Sequence, residues 1–120
     1  MILPVLFLAG MLLQAGCTST KSLTTSSLQG SAWMLFYHIP RIGDRNFKIE
    51  FLKKGMLVNH HPNETTPEND TWHVEADTIH MSINDNYTLY EGRMVSNNKM
   101  KGTAKNKVDE VWEWVATRIR

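Results

Sequence analysis

Cysteine is nearly absent from this 120-residue chain, which has one, Cys17. A single thiol excludes an intramolecular disulfide framework and any multi-cysteine zinc site. An excess of charge of either sign is also missing. Thirteen basic and twelve acidic residues leave a formal net charge of +1, which gives no electrostatic footprint for nucleic acid. Residues 1–16 carry no charged side chain at all, so whole-chain averages blend two unlike parts. The apolar run at residues 2–13 is twelve long, short of the roughly twenty residues that cross about 30 Å of hydrocarbon as a helix. Neither a Gly-x-Ser-x-Gly elbow nor a phosphate-cradling glycine-rich loop occurs, and with them go the usual marks of serine hydrolysis and nucleotide binding.

The apolar run does have the length of a secretory signal core, and small residues follow it. Leu13-Gln14-Ala15-Gly16-Cys17 resembles the processing site of bacterial lipoproteins. That resemblance implies a diacylglyceryl group on Cys17, cleavage before it and acylation of the new terminus, palmitate being the expected chain type. It divides the chain into a signal peptide (1–16), a lipidated cysteine with tether (17–29) and a domain (30–120). Two or more acyl chains anchor firmly at about 0.8 kcal/mol per buried CH₂. Thr18 stands where the family's inner-membrane retention signal has aspartate, which implies the periplasmic face of the outer membrane.

Residues 18–29 are rich in serine and threonine, with only Leu23 and Leu28 apolar. Such a segment buries too little to offset its ordering entropy and reads as a flexible tether. From Ser31 the hydrophobic period becomes two, the mark of half-buried strands. Trp33, Leu35 and Tyr37 alternate with Met34, Phe36 and His38; Phe47, Ile49 and Phe51 alternate with Lys48, Glu50 and Leu52. A turn at residues 53–55 returns the chain through residues 56–61 to a polar loop. Ala76-Asp77 makes a two-residue turn that pairs His73 with His80 and Trp72 with Met81. Residues 87–96 and 99–105 add two strands. The last segment fits a helical stripe through Val108, Val111, Trp112, Val115 and Ile119, but its Val, Trp and Thr content favours a strand with Trp112, Trp114, Ala116 and Arg118 on one face. Eight short strands predict an all-β, antiparallel up-and-down meander, which escapes its exposed edges best by closing into a barrel.

Gly30-Ser31-Ala32-Trp33 at the first strand and Arg118 in the last are similar to lipocalin-like (calycin) barrels. Those carry Gly-x-Trp near the start and a basic residue from the last strand packed across the tryptophan; here the spacing is Gly-x-x-Trp. The resemblance implies a binding domain with Arg118 stacked on Trp33. The expected interior of Trp33, Phe47, Ile49, Phe51, Trp72, Met81, Trp112 and Trp114 fills an eight-stranded barrel, which leaves no large cavity. A ligand would sit at an open end against Trp33, Trp72, Trp112 and Trp114, with Arg118 locking an end.

Other candidates read as surface. His73 faces His80 with Glu75 near, but a facing pair without a carboxylate of defined geometry is ordinarily solvated. His60 and His61 point to opposite faces of a strand and do not ligate together. Glu64, Glu68 and Asp70 lie in a polar loop, where solvation is their expected role. Lys99, Lys101, Lys105 and Lys107 with Arg93 read as a charged face that blocks edge association. No metal, cofactor or catalysis is expected. The expected function is non-catalytic binding of a small apolar ligand or envelope component, with the membrane engaged through lipid and no nucleic acid. The alternative is an interaction lipoprotein that inhibits or assembles with a periplasmic protein, through loops such as residues 41–46 and 62–70.

Overall fold

A computed structural model describes residues 23–120; the signal segment, Cys17 and the first part of the tether lie outside the described residues. Eight strands follow one short helix: α1 (Thr25–Leu28), β1 (Ala32–Ile39), β2 (Gly43–Phe51), β3 (Leu57–Asn59), β4 (Thr71–Glu75), β5 (Thr78–Ile83), β6 (Thr88–Ser96), β7 (Lys99–Asn106) and β8 (Val111–Arg118). All pair antiparallel in a single sheet of order β3-β2-β1-β8-β7-β6-β5-β4. The last strand therefore returns to the first, from Trp33 opposite Arg118 to Tyr37 opposite Trp114. The open seam lies between β3 and β4, where one bridge, Met56 with Thr71, and the Leu57 N–H to Asp70 carbonyl bond (3.2 Å) nearly complete the ring.

The period-two alternation decides which side chains enter the barrel. Trp33, Phe47, Ile49, Phe51, Trp72, Met81, Trp112 and Trp114 are all buried, as the alternation predicts. The segment 111–118 is a strand, with Trp112, Trp114 and Ala116 inside; Thr and Val in a pleated, half-buried setting outweigh the helical stripe. The Ala76-Asp77 turn has positive φ at both residues, 51° and 65°, the turn geometry that matches strand twist. It sets the register of Trp72 with Met81 and His73 with His80. The second strand begins earlier than its apolar pattern, at Gly43, because Ile39 pairs with Gly43 directly across a tight turn.

Two glycines shape the wall. Gly92 and Gly102 face each other across β6 and β7. A Cβ on Gly102 would fall 1.9 Å from the Glu91 carbonyl oxygen, and one on Gly92 would fall 2.5 Å from a ring carbon of Trp114. The missing side chains let the two backbones close up and the Trp114 indole lie against them.

The polar tether reading does not hold for its C-terminal part. Leu28 is completely buried and Leu23 nearly so, and α1 carries a capping box between Thr24 and Ser27. The Leu23 N–H donates to Asp77 Oδ1 (3.2 Å) and the Gly30 N–H to the Phe51 carbonyl (2.7 Å). Serine and threonine here serve as caps rather than as solvent-loving filler, and two leucines close one end of the barrel.

Candidate functional site

At the opposite end the strands carry the turn at residues 40–42, the loop 60–70 and the turns 84–87 and 107–110. Four rings meet beneath this rim: Tyr37 from β1, Phe47 from β2, Tyr90 from β6 and Trp112 from β8. Tyr37 lies 6.0 Å from Phe47 and 5.9 Å from Trp112 between centroids, and Tyr90 stands edge-on to Trp112 at 6.1 Å. They border a cavity of about 180 Å³, covered in part by His61, Asn63 and Glu64 of the long loop. At about 30 Å³ per water that is room for roughly six waters, or a ligand of comparable size.

The loop is anchored from inside. Asp70, read from composition as solvated, is completely buried. Its carboxylate accepts the Asn84 N–H (2.9 Å) and the Asn59 side-chain amide, while Asn59 Oδ1 accepts the His61 N–H (3.0 Å). Burial raises the Asp70 carboxyl above its ordinary range against the pull of these two bonds, and nearby Glu64 adds to the rise. His61 packs edge-on against Phe47 at 5.3 Å, and burial, followed by the Arg45 charge, lowers its pKa. His60 points the other way, to Glu50 (2.7 Å). On the rim, Arg41 clasps Glu110 with two bonds of 2.8 and 2.9 Å.

Among the described residues, two buried polar atoms are left without hydrogen bonds: Trp112 Nε1 and Glu64 Oε1. Both residues border the cavity. Burial raises the Tyr90 phenol strongly and Tyr37 adds to it, with the nearby Trp112 N–H pulling the other way without reaching hydrogen-bond geometry. The mouth therefore has an aromatic floor bordered by Trp112, whose N–H is unpaired, and by Glu64, whose carboxylate also lies beside Asp70. A donor such as the Trp112 N–H is costly when buried and unmatched, so it favours a partner that pairs with it.

The other predicted site residues are placed elsewhere. Trp33, Trp72 and Trp114 are core residues whose N–H groups are already used, by Ser31 Oγ (2.8 Å), the Leu52 carbonyl (2.9 Å) and the Thr103 carbonyl (3.0 Å). Arg118 lies over Trp33, 4.8 Å from its ring centre, at the closed end beside α1. Of the five residues, Trp112 is the one that borders the mouth. Tyr37 is legible as inward-facing from its alternation. Tyr90 and Glu64 carry no sequence signal, because only the closed fold brings them to Trp112.

A broader groove of about 1070 Å³ crosses β1, β2 and β5–β8. Exposed Phe36 and Val95 border it, together with Arg93, Lys101, Glu91 and Glu113. The basic residues here stand among carboxylates and do not form a one-sign patch.

Comparison of the chain with protein-family models, with curated proteins and with solved structures gives no match.

Proposed function

We propose that this chain is a lipid-anchored bacterial envelope protein whose small β-barrel binds, without catalysis, one small apolar ligand at the Trp112 end. The observation that carries the ligand reading is the unpaired Trp112 N–H in an aromatic mouth. The ligand it favours is compact and largely apolar, with one acceptor for Trp112. A volume of about 180 Å³ lies below the 300–1,000 Å³ of drug-sized pockets, so a long acyl chain does not fit inside. The lipid anchor rests on the Leu13–Cys17 sequence and its resemblance to lipoprotein processing sites. A barrel sealed near its N-terminus by Leu23 and Leu28 would then turn its open mouth away from the attachment point.

The anchor is tested by fractionating cells that express the parent and Cys17→Ser. The parent is expected in membranes and acylated, the variant unprocessed and without lipid. Identical processing of both would end the anchor proposal. The ligand reading is tested separately at Trp112, as set out in the Discussion.

A second reading, docking to a periplasmic protein, draws support from the outer groove, where Phe36 is 46% and Val95 53% exposed. Envelope cross-linking from position 36, with capture lost in Phe36→Asp, distinguishes it from small-ligand binding.

A further inference from the structure

The two-residue turn at Ala76-Asp77 places His73 directly opposite His80 on the outer face of the barrel. Their rings stack with centroids 4.7 Å apart and planes 9° apart. The alternation that exposes His73 also exposes Glu75, two residues along the same strand, and its Oε1 lies 3.9 Å from His73 Nε2. On the next strand Glu91 faces His80, with Oε2 3.8 Å from His80 Nδ1. The fold thus sets two carboxylates of defined geometry beside the histidine pair, Glu75 on the same hairpin and Glu91 on β6.

We propose that His73, His80 and Glu75 form a divalent transition-metal site, with Glu91 or water in the fourth position. One ligand atom from each of the three lies within 4.8 Å of the others. Tetrahedral ligands at 2.0–2.1 Å from zinc sit about 3.4 Å apart, so the three must close by a little over an ångström. All are exposed or half-buried side chains on a fixed two-strand frame, and side-chain rotation supplies that movement without moving backbone. The rings must turn out of their stack to converge their nitrogen lone pairs. Two imidazoles and one or two carboxylates suit a borderline ion such as zinc or copper(II) rather than calcium or magnesium, which take all-oxygen sets.

The site has a structural consequence. Among the described residues β4 pairs in the sheet only with β5, and a single bridge reaches it from the β3 side. A metal held by His73 and Glu75 of β4 and His80 of β5 staples this seam strand to its neighbour. His38 with Asp44 and His60 with Glu50 are single-imidazole pairs at 2.7 Å and serve as controls.

The test is calorimetric titration of zinc chloride into the intact chain, with imidazole resonances followed by NMR. The expected result is one zinc per chain, paired shifts at His73 and His80, and slower amide exchange along β4. His73→Gln and His80→Gln should each weaken binding about tenfold or more, and Glu75→Gln less, since loss of even a group that only orients a metal ligand costs about tenfold to a hundredfold. His38→Gln and His60→Gln should leave it unchanged. No zinc binding by the parent overturns the proposal. So does binding that survives the His73→Gln/His80→Gln double variant, or zinc shifts confined to His38, His60 or His61. His73 and Glu75 are exposed and His80 half-buried on the outer face, and an unchanged circular dichroism spectrum establishes that a loss of affinity is local.

Discussion

Arg118 rests its guanidinium 4.8 Å above the centre of the Trp33 ring, joining the last strand to the first across the turn of the barrel. Its Nε also donates to the Asn97 carbonyl (3.2 Å), so one side chain ties β8 to β1 and to the β6–β7 turn. A cation over tryptophan contributes about 0.5–2 kcal/mol depending on its exposure. Arg118→Ala is expected to lower unfolding free energy by about that amount, and Arg118→Lys to recover part of it. Urea unfolding of the three proteins measures both effects. An Arg118→Ala protein as stable as the parent would show that the stack contributes nothing to closure.

Leu28 makes the end of the supposed tether part of the domain. Its side chain is wholly buried, and the substitution Leu28→Ala is expected to cost about 2–5 kcal/mol, the range for large-to-small changes in cores. Ser26→Ala, exposed on the same short helix, should change stability by about 0.5 kcal/mol or less. Equal stability of Leu28→Ala and the parent in urea would return residues 23–29 to the tether.

These two positions show what the sequence carried. Alternation is local information, so the strands, the inward tryptophans and the His73–His80 register were readable from it, whereas the Trp33–Arg118 stack was an expectation of the lipocalin-like resemblance alone. Leu23 and Leu28 were not, because a serine-rich context says nothing about a distant barrel end that two leucines can seal. The loop at 62–70 was legible as a loop, but its anchoring was not: Asp70 is held by partners at Asn59 and Asn84, neither of which is visible as a pattern. At the site, composition pointed to four tryptophans as equals. Only the satisfied N–H groups of three of them single out Trp112.

Glu110 makes the rim acid-sensitive. The hydrogen bonds from Arg41 first, then from Asn106, bring its carboxyl from the ordinary 4.5 down to about 2. A folded-state value below the unfolded one means the contribution is present above about 4.5 and is lost as pH falls toward about 2. In Arg41→Gln the Glu110 carboxyl, followed by carbon NMR, should titrate higher, between about 2 and 4.5, because the Asn106 bond remains. The stability difference between parent and variant should shrink over that same window and with added salt, since the Arg41 side of the pair is exposed to solvent. A Glu110 midpoint that does not move in Arg41→Gln would contradict the assignment.

The central claim, that the barrel mouth receives a small ligand at Trp112, is tested most directly on the four indole N–H groups by proton–nitrogen NMR. Three already donate to Ser31, Leu52 and Thr103; the fourth, Trp112, has no partner among the described residues. Titration with a panel of small aromatic and cyclic amides is expected to shift the Trp112 resonance alone, downfield and saturably, as its N–H gains an acceptor. Trp112→Phe should then weaken the best binder by about fivefold to tenfold, the worth of one hydrogen bond at about 1 kcal/mol. A Trp112 resonance that stays in place across the panel at millimolar concentration, or that moves only together with the three core indoles, would contradict the account.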